Sequence, residues 1–341
     1  MRKFKAKHFR FALIIVLGTV LFGGMPSMAF AETKGIRIAQ QYSIGYIPLM
    51  MMEKNKLLEK NLKAAGLGDV KVTWNKFAGG NVMNEALLSG NLDFAAGGLS
   101  PAIRLWDKTR GRLEVKLVAA VFAMSEYLVT RNPNVKTVKD FTDKDRIALP
   151  AVKVSDQATY LQMAAVKAFG ENNYSKLDHL TISMSHPDAM TSMLAGTEIN
   201  SHFGVPPYQN QEMDTPGAHT VLTSYEVMGG PVSATVYWAT SKFRDNNPKT
   251  YAVFIATLKE AIDIVNKDKR TAAEFYVNYT KSKLSVDRIY EIMRRSDFEY
   301  ATTPRNTMKM AEFLHKINAI KVKPDSWEDL FFPEVHKLPG S

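Results

Sequence analysis

Ser43, Ser100, Ser155 and Gln157 each stand at or beside a place where the residue pattern starts a helix. Free backbone N–H groups and the helix dipole at such starts attract anionic or polar groups, and short hydroxyl or amide side chains can add hydrogen bonds. The helix starts fall after Tyr46-Ile47, at Gly79-Gly80-Asn81 and at Ser155-Asp156-Gln157. Gly79, Gly80, Gly97 and Gly98 would let backbone approach a bound molecule closely. Tyr42, Tyr46, Phe77, Phe203 and Tyr208 could wall its apolar body. The chemistry on offer is reversible binding of a small polar molecule. Each hydroxyl also fits an ordinary helix cap, and Phe203 fits a core position.

Catalysis has no comparable support. The chain contains no G-x-S-x-G, H-E-x-x-H, Walker A or G-x-G-x-x-G pattern. No catalytic residue and no cofactor are therefore assigned. His186 and His202 fall near the expected binding loops, and His186 is kept as a binding candidate. Two histidines without a close third ligand do not make a metal site, so none is expected. Lys153 precedes a helix start and could pair with an acid, but it reads equally as a solvated lysine. Arg104 lies within the helix after Pro101.

The elements that must position these residues come in two similar sets. ALLSGNLDFAAGGLSP at 86–101 returns in altered form as MLAGTEINSHFGVPP at 193–207. Each reads as a helix end, a small residue plus Gly90 or Gly196, a short strand, and a loop of small residues. The strands are expected at Leu92-Asp93-Phe94 and from Ile199 to Phe203. Ligands in open α/β sheets bind beyond the carboxyl ends of strands, where such loops lie. Two equivalent loops suggest two α/β lobes facing one cleft.

The rest of the chain alternates in the same way. Strands are expected at Ile36–Ala39, Val70–Trp74, Val115–Val121, Tyr127–Val129, Arg146–Leu149 and Leu180–Ser183. Helices are opened by Pro48, by Ser155-Asp156-Gln157 and by His186-Pro187-Asp188. From Asn247-Pro248 onward the chain turns helical, with Phe254, Leu258, Ala261, Ile262 and Val265 on one stripe. Ser285 and Thr303-Pro304 are read as starts of two further helices.

The N-terminus carries an export address. Arg2, Lys3, Lys5, Lys7 and Arg10 precede an apolar stretch from Phe11 to Phe22, then Gly23-Gly24, Pro26 and the small-x-small triplet Ala29-Phe30-Ala31. Cleavage is expected between Ala31 and Glu32, so residues 1–31 are a signal peptide and 32–341 the mature chain. Among the 341 residues are 44 basic and 34 acidic ones. The five basic residues of the signal account for half of the formal +10, leaving +5. That balance, with scattered basic residues, does not indicate nucleic acid. The chain has no cysteine, which excludes a disulfide framework and a lipid anchor on cysteine. A freely diffusing periplasmic protein, not inserted in the membrane after cleavage, is the expectation.

Taken in order, IGYIPLMMMEKNKLLEK at 44–60, FAGGNVMNEALLSGNLDFAAGG at 77–98, VKTVKDFTDKDRIALP at 135–150, SMLAGTEINSHFGVPPY at 192–208 and GGPVSATVYWATSKF at 229–243 resemble a known group. The chain is similar to periplasmic substrate-binding proteins of ABC importers, in the superfamily of nitrate-, alkanesulfonate- and taurine-binding proteins and thiamine-pyrimidine-synthase-like domains. The resemblance implies a type II-like two-lobe periplasmic-binding-protein fold with a ligand cleft between the lobes and a helical C-terminal part. It places lobe one at 32–128 plus 235–341 and lobe two at 129–234, with Tyr127–Val129 and Thr235–Tyr237 as crossing strands. It further implies hinge closure on a small-molecule ligand, delivery to an inner-membrane permease, and a monomer. A small organic anion or a polar heterocycle is the expected ligand, with an aliphatic sulfonate first. The synthase relatives use a cysteine-rich motif that this chain lacks. A periplasmic sensor for a membrane receptor would share the fold, and a periplasmic enzyme is the remaining alternative.

Overall fold

A computed structural model describes residues 31–341; the signal peptide expected at 1–31 lies, but for Ala31, outside the described residues. Eleven strands are described: β1 (Gly35–Gln40), β2 (Lys71–Lys76), β3 (Ala95–Gly97), β4 (Val115–Met124), β5 (Tyr127–Thr130), β6 (Ile147–Leu149), β7 (Thr181–Ser183), β8 (Ser201–Phe203), β9 (His219–Thr223), β10 (Ser233–Thr240) and β11 (Phe298–Tyr300). One sheet has the order β11-β4-β10-β3, and the parallel pair β1-β2 adjoins it through a bridge between Ile38 and Phe94. The other sheet has the order β7-β6-β8-β5-β9. In it β6 runs parallel to β7 and β8, while β5 runs antiparallel to β8 and β9.

Each sheet is assembled from elements with helices between them, as the alternating pattern requires. The chain leaves the first sheet at Ser125-Glu126. It returns through the short helix Ser224–Met228 and a Gly229-Gly230-Pro231 turn into β10. Tyr127–Val129 and Thr235–Tyr237 therefore do not cross. Each strand stays within one sheet, and the crossings are the segments just before them in the chain.

Apolar spacing places the C-terminal helices as expected. In the helix Pro248–Lys267, the stripe from Phe254 to Val265 is buried. Phe94 is fully buried and stacks on Phe254 at 3.8 Å between ring centroids, with Phe243, Tyr237 and Tyr251 around it. Gly90 and Gly196 both adopt φ of +71°, a left-handed conformation that glycine enters without strain.

Two expected elements are displaced. Leu92-Asp93-Phe94 do not form a strand, because Asp93 is committed to Arg37: its carboxylate accepts the Arg37 backbone N–H at 2.8 Å and the guanidinium at 2.8 and 3.0 Å. Strand geometry starts only at Ala95. The helix expected from Thr303-Pro304 begins instead at Thr307, after Asn306 at φ +53°. Residues 301–305 are held in pairing contacts: the Ala301 N–H donates to Val121, the Thr302 carbonyl accepts from Ala120, and Arg305 and Ser233 exchange hydrogen bonds.

Candidate functional site

The loops at the ends of the strands meet in one small cavity. Its walls come from the first sheet's side through Gln41, Tyr42, Ser43, Tyr46, Gly80, Gly98, Pro101, Phe122, Met124, Ala234 and Thr235. The second sheet's side supplies Pro150, Ser155, Asp156, Gln157, His186 and Val205, and Glu126 sits at the crossing between them. The space admits the centres of water-sized molecules through about 40 Å³, enough for roughly three waters. A larger solute can enter only if the walls separate.

The walls are fastened together across the cleft. Ser43 Oγ donates to the Pro206 carbonyl at 2.9 Å, and the Ile44 N–H reaches the same oxygen at 3.2 Å. Thr159 Oγ1 donates to Ser100 Oγ at 2.8 Å. A Cβ on Gly79 would lie 2.8 Å from the Pro150 carbonyl, so glycine is what permits that approach.

The strongest cross-cleft contact belongs to Asp156. It is the first residue of the helix Asp156–Phe169, whose N-cap Ser155 accepts from the Ala158 N–H. Its carboxyl oxygens accept the Leu99 N–H at 2.9 Å and the Ser100 N–H at 2.6 Å, at the start of the opposite helix Leu99–Thr109. The site that the helix dipole prepares for an anion is thus filled by the protein's own carboxyl. A Cβ on Gly98 would lie 2.4 Å from Asp156 Cγ, which explains a glycine at this position.

Electrostatics add a second acid. Glu126 is 1% exposed, and its Oε2 is buried without a hydrogen-bond partner. Burial, reinforced by the Asp156 charge, pushes the Glu126 carboxyl well above its ordinary value, with the Gln157 amide opposing the shift. Burial likewise raises Asp156 to about 7, against the pull of the Ser100 and Leu99 N–H groups and the Arg104 charge. Among the described residues, no lysine or arginine lines the cavity. Lys153 is exposed, and Arg104 is spent on Ser100 Oγ at 3.2 Å.

Eight of the fifteen candidates from the sequence line this cavity: Tyr42, Ser43, Tyr46, Gly80, Gly98, Ser155, Gln157 and His186. Ser43 and Ser155 act as helix caps, Ser43 by accepting the Gly45 N–H at 3.0 Å. Tyr46 packs edge-on to Phe122 and its hydroxyl accepts from Thr235. The other seven do not line it. Phe77 is half-buried against the core and Asn81 is exposed. Gly79 abuts Pro150, as above. Gly97 lies beneath Gln41, whose Nε2 would be 2.7 Å from a Cβ there. Ser100 is fully buried with its hydroxyl bonded to Thr159, and Phe203 is core packing against Tyr160. Tyr208 stands behind the wall, stacked on His186 with ring centroids 6.3 Å apart.

Sequence reasoning did not single out Glu126, Asp156, Phe122 or Thr235. Asp156 stood inside a quoted helix start and is the one a local signal could have yielded. Glu126 lies between two strands with no pattern around it.

A comparison with family descriptions matches the NMT1-like family over residues 30–277. The chain belongs to the NMT1-like family. No curated protein matches this NMT1-like chain by sequence. Among solved structures it is similar to the alkanesulfonate-binding protein SsuA from Xanthomonas axonopodis pv. citri bound to MOPS, at 17% identity and TM-score 0.67, covering 86% of this chain and 96% of that one. It is also similar to the periplasmic aliphatic sulphonate binding protein SsuA from Escherichia coli, at 18% identity and TM-score 0.63, covering 88% and 92%. The periplasmic nitrate-binding protein NrtA from Synechocystis PCC 6803 matches at 13% identity and TM-score 0.68, covering 87% and 84%. The NMT1-like chain thus has the two-lobe periplasmic-binding-protein fold expected from its sequence.

Proposed function

We propose that the chain is the solute-binding component of a periplasmic ABC import system, and that its cleft takes a small nitrogen heterocycle carrying N–H donors. Binding is reversible and without turnover, and the closed form is handed to an inner-membrane permease. In this reading the protein is an exported monomer. Its parts 32–128 with 235–341, and 129–234, close on the solute as two lobes.

The observation that carries the choice of ligand is Glu126, a buried carboxyl in the cavity with an oxygen lacking any partner. That oxygen, buried and unpaired, costs free energy, and a ligand N–H would recover it by pairing with the carboxylate form that burial alone disfavours. Asp156 occupies the anion-ready helix start, and among the described residues no lysine or arginine lines the walls. Tyr42, Tyr46 and Phe122 supply aromatic surface for a flat ring. Between the two expected ligand classes, these features support the polar heterocycle over the sulfonate.

A thermal-shift series with 4-aminopyrimidine, cytosine, methanesulfonate, nitrate and benzoate tests the reading. A ligand at a hundred times its dissociation constant should stabilise the protein by about 2.7 kcal/mol. The heterocycles should raise the melting temperature and the anions should not. Stabilisation by methanesulfonate alone would reverse the assignment. Recovery of chemically altered heterocycle in proportion to protein would replace the binding reading with an enzymatic one.

A further inference from the structure

Behind the cavity wall lies a chain of three buried titratable groups. His186 Nδ1 is 2.9 Å from His202 Nε2, and His202 Nδ1 is 2.5 Å from Glu212 Oε1. His202 and Glu212 are fully buried and His186 is 4% exposed. His186 opens the helix His186–Leu194, His202 is on β8, and Glu212 is on the helix Tyr208–Met213. Three separate elements converge to make the chain. Gly204 leaves room for it, since a Cβ there would lie 3.2 Å from His202 Nδ1 and Cε1. His186 lines the cavity, and with Nδ1 committed to His202 its remaining ring nitrogen is Nε2.

We propose that Glu212 and His202 are positioning residues that hold His186 with its proton on Nε2, so that this wall presents an N–H donor and selects a solute with a hydrogen-bond acceptor on that edge. The inference deepens the heterocycle reading and rests on it for the word solute. The orientation of the chain itself does not depend on that reading.

Burial of the three groups constrains how many protons they share. An ionised Glu212 beside a neutral His202 would leave a net negative charge in a fully buried place, with Glu212 Oε2 lacking any partner. Two arrangements avoid it. In one, Glu212 is ionised and His202 is an imidazolium. In the other, the proton has moved across the 2.5 Å contact onto Glu212, and His202 keeps its remaining proton on Nε2. Both place a proton on His202 Nε2, which donates to His186 Nδ1. A neutral His186 must then carry its own proton on Nε2. Burial and the neighbouring His202 charge both drive His186 toward the neutral form. The cleft therefore offers a donor at His186 and an acceptor at Glu126, a pairing that suits a ring with a bare nitrogen on one edge and an N–H on the other.

The test is the imidazole 15N spectrum of 15N-histidine-labelled protein without ligand, with the His186 signals assigned by their loss in His186→Phe. The expected spectrum shows a protonated Nε2 and a bare Nδ1 on His186, and a protonated Nε2 on His202. A protonated Nδ1 on His186 overturns the proposal whatever the protein binds. In Glu212→Leu the shared proton loses its second site, and the His186 signals should shift toward a mixture of tautomers. Unchanged His186 signals in folded Glu212→Leu would remove Glu212 from the chain. Failure of every heterocycle in the thermal series alongside the expected spectrum would overturn the ligand reading and leave the tautomer in place.

Discussion

Asp156 and Ser100 are joined across the cleft by a 2.6 Å hydrogen bond from the Ser100 backbone N–H to the Asp156 carboxyl. The other carboxyl oxygen holds the Leu99 N–H, so a helix start in one half is capped by a helix start in the other. Under the proposed hinge closure, the bond holds only while the cleft is shut. It acts as a latch.

Asp156→Ala should release it. Losing two hydrogen bonds to a carboxyl should weaken the closed form by about 2 kcal/mol. X-ray scattering should show a larger radius of gyration with unchanged far-ultraviolet circular dichroism. The freed helix start should also gain affinity for methanesulfonate. Gly98→Ala should act in the same direction, because its Cβ would press on Asp156 Cγ. An unchanged radius in both variants would show that other contacts hold the cleft.

The cleft acids should make stability fall as pH rises. Asp156 is raised to about 7 from 3.8, and Glu126 is raised well above 4.5. In the folded state both retain protons that the unfolded chain has already lost, so stability decreases upward through this window. For Asp156 the fall begins near 3.8 and ends above about 7; Glu126 adds to it. Asp140 and Asp268, held low mainly by backbone N–H donors, act in the opposite sense at more acid pH, and His186, kept neutral by burial, opposes the fall up to about 6.5. Urea midpoints should therefore be lower at about pH 8 than at about pH 6.5. A midpoint that climbs through that interval would contradict the assignment.

Glu126→Gln separates stability from binding. It removes an acid whose ionisation is penalised by burial, so the variant should be more stable at about pH 8 by roughly 1–2 kcal/mol. It should also weaken 4-aminopyrimidine binding about tenfold, the scale for a hydrogen bond to a charged group. Melting curves and titration calorimetry read the two effects. Equal affinity in the variant would exclude Glu126 from the contact.

Phe94→Ala should be costly for a different reason. Phe94 packs on Phe254, Phe243, Tyr237 and Tyr251 in the first half's core and does not line the cavity. A loss of about 3–5 kcal/mol is expected from denaturant midpoints at unchanged slope. A loss under about 1 kcal/mol would mean the surrounding rings close the space.

Much of this architecture was legible because its signals are local. The Ser155 cap, the Phe254 to Val265 stripe and the glycines at φ +71° are properties of a few consecutive residues. Leu92–Phe94 misled because Asp93 looks like any strand residue until Arg37, 56 positions away, claims its carboxylate. Thr303-Pro304 misled because tertiary pairing with Val121 and Ser233 outweighs a local helix signal. At the site, Tyr42, Tyr46, Gly80 and Gly98 were visible as types. The partnership of Asp156 with Ser100, and of His186 with His202 and Glu212, joins residues distant in sequence or set on different elements. No spacing rule reveals such pairs.

The crossing at Glu126 has a mechanical consequence. The Glu126 N–H donates to Ser224 Oγ at 2.9 Å, and the Ser224 N–H returns to the Glu126 carbonyl at 2.8 Å. The two connections between the sheets are thereby pinned at one spot. In the proposed hinge motion, a turn that separates the sheets would pivot there, so displacement would grow with distance along the lever. The rims at Ser43–Pro206 and Gly79–Pro150 would swing away, while the carboxyl at the pivot would scarcely travel. In the proposed binding cycle an arriving molecule would meet that carboxyl already in its final place, and the swinging walls would then complete the grip.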